Sequence, residues 1–209
     1  MKKPLFVTFE GGEGAGKTTL IRRLEQELNQ RRYPTLQTRE PGGSPLGEKI
    51  RQLLLQADGH AAIGPRAELL LFLAGRAQHL EEVIRPALSA GKTVLCDRFN
   101  DSSVAYQGIA RGLGQAYVQN LCDQICQNTF PDLTFFLDLD PTIGMQRAHK
   151  EKRVMDRLEN EQEDFHQRVR EGFLQLAREN PKRMSVIDAS ASPDEVFKQT
   201  WALLEKKIS

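Results

Sequence analysis

The chain has 209 residues, 39% hydrophobic and 27% charged, which is enough for one sizeable core and too apolar for a disordered chain. Its 29 Lys and Arg stand against 28 Asp and Glu, a net charge of +1, so no global basic field points to nucleic acid as a partner. No apolar run approaches the ~20 residues of a membrane helix, and Met1-Lys2-Lys3-Pro4 leads into too short an apolar stretch for a secretory leader. The three cysteines, Cys96, Cys122 and Cys126, are few and odd in number, which suits a reducing, cytoplasmic setting. Cys122 and Cys126 lie one helical turn apart, but no nearby Cys or His completes a metal set, so both read as small core residues.

The first strand pattern is Leu5–Phe9. It runs into Phe9-Glu10-Gly11-Gly12-Glu13-Gly14-Ala15-Gly16-Lys17-Thr18-Thr19, in which Gly11, Gly16, Lys17 and Thr18 fit the P-loop pattern G-x-x-x-x-G-K-[ST]. A polyphosphate needs backbone N–H groups pointing inward, with no Cβ to block its approach. The stretch from Gly11 through Gly12, Glu13, Gly14, Ala15 and Gly16 to Lys17, Thr18 and Thr19 meets that need. A helix predicted over Lys17–Arg32 then aims its positive end at the anion. Lys17 can bridge outer phosphates, and the Thr18 hydroxyl can ligate Mg²⁺.

A second strand, Thr35–Thr38, ends in Thr38-Arg39-Glu40-Pro41-Gly42-Gly43, where Arg39 can grip a phosphate with its fork of donors. Ser44-Pro45 starts a helix over Leu46–Gln56. The next predicted helix, Pro65–Ser89, is long and apolar on more than one face, and Pro86 should loosen its last turn. Within it Phe72 and Arg76 share a face, so a ring and a guanidinium can stack on a base and bond its edge.

Strand Thr93–Cys96 ends at Asp97 and Arg98. An aspartate there can hold Mg²⁺ beside the P-loop, directly or through water. The following Asp101-Ser102-Ser103-Val104-Ala105-Tyr106-Gln107-Gly108 gathers hydroxyl and amide groups able to orient a polar ligand. Helix Gly114–Thr129, strand Leu133–Leu139 and helix Thr142–Lys152 come next, the last ending in the basic run Gln146-Arg147-Ala148-His149-Lys150-Glu151-Lys152-Arg153. Mobile arginines there can close over a γ-phosphate. Helix Glu159–Asn180, strand Ser185–Ile187 and helix Pro193–Lys207, the last begun by Ser192-Pro193, complete the chain. Short buried strands alternating with helices predict one doubly wound α/β domain over residues 1–209, with about five parallel strands and a basic lid at about 147–157.

Taken together, Phe9–Thr18, Thr38–Gly43, Asp97-Arg98-Phe99 with Ser102–Gly108, and Asp156-Arg157-Leu158-Glu159 resemble the bacterial thymidylate kinase family over nearly the whole chain. The resemblance implies transfer of the ATP γ-phosphate to dTMP, with Mg²⁺, in a homodimer packed through helices, with Pro65–Ser89 a candidate part of the interface. It implies that Phe72 stacks on thymine, Arg76 bonds its O4 edge, and Ser103 with Gln107 addresses the N3 side. It further implies that Tyr106 crowds the 2′ position, that Arg39 and Arg98 hold the acceptor phosphate, and that Glu13 sits near the 3′-hydroxyl and the metal. Thr18 and Asp97 are the metal ligands it implies. This P-loop has Glu13 and Ala15 where a basic residue could stand, so charge compensation falls to the lid, with Arg153 favoured as the catalytic arginine and Arg147 second. Two other readings remain at this stage: another deoxynucleotide or deoxynucleoside kinase, and a GTPase-like switch. The switch would want an Asn-Lys-x-Asp signature, and Asn120-Leu121-Cys122-Asp123 lacks its lysine.

Overall fold

The computed structural model describes residues 3–55, 63–150 and 156–208; of residues 149 and 150 only the backbone is described. Five strands, β1 (Phe6–Glu10), β2 (Thr35–Arg39), β3 (Thr93–Asp97), β4 (Leu133–Asp138) and β5 (Met184–Asp188), form one all-parallel sheet in the order β2-β3-β1-β4-β5. Every residue of β1 is buried, as a strand covered on both faces must be, whereas the edge strand β2 is partly exposed.

Neighbouring phenylalanines show how both faces are filled. Phe135 points to the side covered by α1 (Lys17–Gln30) and α9 (Pro193–Ile208), where it meets Phe9 at 5.7 Å between ring centroids. Phe136 points to the opposite side and stacks on Phe173 of α8 (Glu163–Glu179) at 5.0 Å. Period-two alternation in a buried strand thus divides one apolar run between two cores.

Both serine starts act as caps. Gly47 N donates to Ser44 Oγ at 3.0 Å, opening α2 (Pro45–Leu55). At α9, Ser192 Oγ accepts from Glu195 N at 3.3 Å while Glu195 Oε2 accepts from Ser192 N at 3.0 Å, a reciprocal box.

The long helix expected over Pro65–Ser89 is one rod in three parts: α3 (Pro65–His79), a π-turn (Leu80–Ile84) and α4 (Arg85–Ser89). The widening precedes Pro86 rather than following it. Proline has no N–H and its ring crowds the carbonyl four residues back, so the turn ahead of it opens.

A second departure lies after β3. The polar segment read only as a cluster of functional groups is a helix, α5 (Asn100–Ser103), continuing into a π-turn (Val104–Ala110). Helices α6 (Gln115–Cys126) and α7 (Pro141–Lys150) complete the set, and α8 packs against this π-turn. No helix among the described residues is long and apolar enough to cross a membrane.

Candidate active site

The sheet register brings the carboxyl ends of the central strands together: Phe9 lies opposite Asp97 on one side and Phe135 on the other. The P-loop leaves β1 at this point and enters α1. Gly14, at φ 66°, faces Gly144 of α7 so closely that a Cβ would collide with the Gly144 carbonyl. Lys17 folds back over the loop, its Nζ donating to Gly11 O at 3.1 Å and Gly12 O at 3.0 Å. Burial lowers the pKa of this ammonium, and Arg98 pushes the same way, while Asp97, Glu13 and Glu10 oppose.

Arg98 takes a left-handed backbone (φ 67°) directly after β3, where its N–H donates to Phe9 O at 2.9 Å. Its Nη2 donates to Glu13 Oε1 at 2.7 Å, and its guanidinium lies 5.3 Å from the Tyr106 ring centre. Burial pushes the Tyr106 phenol up to about 12, against Arg98, so it stays neutral. Beneath them Glu10 is fully buried. Its Oε1 accepts from Phe99 N at 2.9 Å and its Oε2 from Ser102 Oγ at 2.5 Å. Burial, then Asp101, push this carboxyl up to about 8, against Ser102, Arg98 and the Phe99 N–H.

On the opposite wall Phe72 is half-buried, and Arg76 is only 1% exposed. A guanidinium has five N–H groups. Here Nε donates to Glu40 Oε2 at 2.8 Å, Nη2 to Phe99 O and Ser103 Oγ at 3.0 Å each, and Nη1 to Cys122 Sγ at 3.5 Å. One N–H, on Nη1, is left for another partner. Glu40 also faces His79, whose Nδ1 donates to Glu40 Oε1 at 3.0 Å, since a carboxylate only accepts. His79 Nε2 stands 2.7 Å from Thr38 Oγ1. Gly43, at φ 76°, passes so close that a Cβ would meet both His79 and Thr38.

These groups open on one cavity of about 740 Å³. Its lining includes Glu13, Gly14, Gly16, Lys17, Thr18, Thr19, Arg39, Phe72, Arg76, Asp97, Arg98, Ser103, Tyr106 and Gln107. The volume suits a small organic ligand. Gly11, Gly12 and Ala15 belong to the loop that bounds it. Arg39 is paired with Glu48 at 3.0 Å, and Glu48 also accepts from Gly43 N at 3.0 Å, so one carboxylate fixes both the loop and the guanidinium. Arg147 lies against the P-loop, its Nη1 donating to Gly14 O at 3.4 Å and Ala189 O at 3.1 Å. Arg153 lies outside the described residues, as do Glu151 and Lys152 of the basic run. After the run, Asp156 Oδ1 accepts from Leu158 N and Glu159 N at 2.9 Å each, while Glu159 Oε2 accepts from Asp156 N at 2.9 Å.

Glu10, Glu40 and His79 support the site but stand outside the candidate residues that the sequence offers. Glu10 carried one signal, an acidic residue closing an otherwise apolar strand. Glu40 and His79 carried none, because their importance comes from a contact 39 residues apart in the chain.

A P-loop on the central strand of a parallel sheet, opening on a cleft that also holds a ring, the buried Arg76 and the further arginines Arg22, Arg39, Arg51 and Arg98, defines a nucleotide phosphotransferase of the P-loop kinase class. A family model described as thymidylate kinase matches residues 9–200. The chain is 49% identical to the thymidylate kinase of Protochlamydia amoebophila, over 99% of this chain and 95% of that one. It is 46% identical to the thymidylate kinase of Deinococcus radiodurans, over 99% of each. A crystal structure of thymidylate kinase from Ehrlichia chaffeensis matches with a TM-score of 0.77 at 35% identity, over 96% of this chain and 98% of that one. The chain belongs to the thymidylate kinase family.

Proposed function

We propose that the cleft transfers the γ-phosphoryl group of ATP to dTMP, giving dTDP and ADP. The observation that carries this reading is the shared cavity: Lys17 and the Phe72–Arg76 wall both line it, with Arg98 and Arg39 also on its surface. The backbone from Gly11 to Thr19 receives the donor phosphates. Phe72 stacks on the thymine ring, and Arg76 offers its remaining Nη1 N–H to O4. Ser103 and Gln107 face the N3 side. Tyr106 crowds the 2′ position, which favours deoxyribose, and Glu13 lies near the 3′-hydroxyl.

Arg39 and Arg98 hold the acceptor phosphate. One of its oxygens attacks the γ-phosphorus, and the bond from that phosphorus to the β,γ-bridging oxygen breaks. The acceptor is already an anion, so positioning and charge compensation do most of the work. We take a lid arginine, Arg153 first and Arg147 second, to compensate the developing charge.

Thr18 and Asp97 both line the cavity and offer hard oxygen donors, a hydroxyl and a carboxylate. That set fits Mg²⁺, which takes few protein ligands and fills the rest with phosphate and water. When bound, the ion supplies Lewis-acid charge neutralisation on the phosphate oxygens.

We read the chain as a single kinase domain acting in the cytoplasm, a setting its three free cysteines suit. We also read it as a homodimer. Leu46 and Leu53 of α2, Leu70 of α3 and Tyr117 of α6 are each at least 45% exposed, and α3 packs against both α2 and α6. Sedimentation at micromolar concentration tests this. A coupled assay with dTMP, dUMP, dCMP and thymidine tests the reaction. Turnover of thymidine without turnover of dTMP overturns the reading.

A further inference from the structure

Glu68, on the first turn of α3, is 1% exposed and has no part in the roles assigned above. Its carboxylate gathers partners from two other segments. Oε1 accepts from Gln107 Nε2 at 2.8 Å and from Arg111 Nε at 3.4 Å. Oε2 accepts from Arg111 Nη2 at 3.3 Å and from Arg157 Nη2 at 2.5 Å. Arg157 is held in turn by Leu54 O, which accepts from its Nε at 2.9 Å.

A carboxylate clamped between two guanidiniums is an acceptor only. An amide side chain that faces it must present its NH₂ group. The Gln107 carbonyl oxygen is therefore turned away from Glu68, and no described residue donates to it. Gln107 and Arg76 both line the cavity. Beside the Ser103 hydroxyl, the wall thus offers an acceptor in Gln107 Oε1 and a donor in the remaining N–H of Arg76 Nη1.

We infer that Glu68 is a positioning residue for base selection: it fixes the Gln107 amide so that its carbonyl oxygen meets the acceptor base, which selects a pyrimidine carrying N3–H over one with a bare N3. The inference deepens the dTMP reading and rests on it. Thymine and uracil present N3–H and an O4 acceptor, the complement of this wall. Cytosine presents a lone pair at N3 and an amino group at C4. It would set acceptor against acceptor at Gln107 and donor against donor at Arg76. Buried polar groups left facing their own kind are what a hydrogen-bonding site uses to reject an analogue. Without Glu68 the Gln107 amide is free to turn its NH₂ inward, and cytosine regains a partner.

The test measures kcat/KM for dTMP and for dCMP on the wild type, Glu68→Gln, Gln107→Ala and the double variant. Both substrates are read on the same preparation, so their ratio is independent of how much of it is folded. Each single substitution is expected to lower the dTMP:dCMP ratio by about tenfold, the scale of one good hydrogen bond. The double variant should lose no more than Gln107→Ala alone, because both act through one carbonyl. The KM for ATP should stay within about twofold. If Glu68→Gln does not fold, Glu68→Asp carries the test, because it still matches both arginines but stops one methylene short of Gln107. A wild-type ratio in the folded Glu68 variants, or losses that add in the double variant, overturns the inference. A wild type that does not prefer dTMP overturns the reading beneath it, whatever the variants do.

Discussion

Arg98 and Glu13 share an ion pair of 2.7 Å across the cleft floor, joining the residue after β3 to the middle of the P-loop. Arg98 holds that position from a left-handed backbone, a conformation that costs a side chain about 1–3 kcal/mol and persists only where the surroundings enforce it. The enforcing groups are the Phe9 carbonyl, the Glu13 carboxylate and the Tyr106 ring. The side chain is thereby set out in advance of any ligand.

Arg98→Lys keeps the charge and loses the fork. A lysine is a point charge and cannot hold Glu13 and a phosphate oxygen in two fixed directions. The expected loss is about 10²-fold in kcat/KM for dTMP, with the KM for ATP little changed, read from steady-state kinetics with each substrate varied. A raised KM for ATP with the KM for dTMP unchanged would move Arg98 to the donor side.

Lys17→Ala removes the ammonium that now caps the Gly11 and Gly12 carbonyls. The loop geometry rests on its glycines and on α1, so the variant should fold. Turnover should fall by about 10²–10³-fold or more, the scale of losing one preorganised group at a developing charge. Near-normal turnover would remove the P-loop from the chemistry.

The P-loop part of the candidate site was legible because its chemistry is local. Gly11 to Thr18 are contiguous, and strand, loop and helix follow in the order that phosphate binding requires. The five strands were legible for a similar reason, since their apolar runs are short and bounded by turns. The opposite wall was legible as single residues, and their roles only through the family resemblance. That Phe72 and Arg76 share a helix face follows from their spacing, but Arg76 is buried because Glu40 neutralises it, and Glu40 is 36 residues away. The helix and π-turn from Asn100 to Ala110 were missed because its leading residues, Asn100, Asp101, Ser102 and Ser103, compete with their own backbone for hydrogen bonds and read as loop. Burial overrides that preference here: Ser102 is tied to Glu10, and Asp101 is tied to Arg183 at 2.7 Å.

Glu10 makes stability depend on pH in a definite direction. Its folded-state value, about 8, lies above its ordinary 4.5, so the folded chain holds this proton more tightly than the unfolded chain. Stability from this group is therefore full below about pH 4.5 and is lost as pH rises toward 8. Glu10→Gln keeps an acceptor for the Phe99 N–H and carries no charge at any pH. The difference in Tm between Glu10→Gln and the wild type should move in favour of the variant from pH 5 to about 8 and level off above, by scanning calorimetry across that window. A difference that stays flat with pH would show Glu10 titrating as an ordinary carboxylate.

Glu40 is the counter-charge to a buried guanidinium. It accepts from Arg76 at 2.8 Å and from His79 at 3.0 Å, with both arginine and histidine at most 1% exposed. Glu40→Ala would leave Arg76 charged and uncompensated in the core, a change that costs about 3–5 kcal/mol when one partner of a buried pair is removed. His79→Ala removes one hydrogen bond to Glu40 and one to Thr38 while Arg76 keeps its counter-charge, and should cost less, about 1–3 kcal/mol, part of it from the cavity. Urea unfolding at neutral pH reads both, provided the slopes match the wild type. The order of the two losses decides the point. If Glu40→Ala costs no more than His79→Ala, then water reaches Arg76 in the variant and the guanidinium does not depend on Glu40 for its place in the wall.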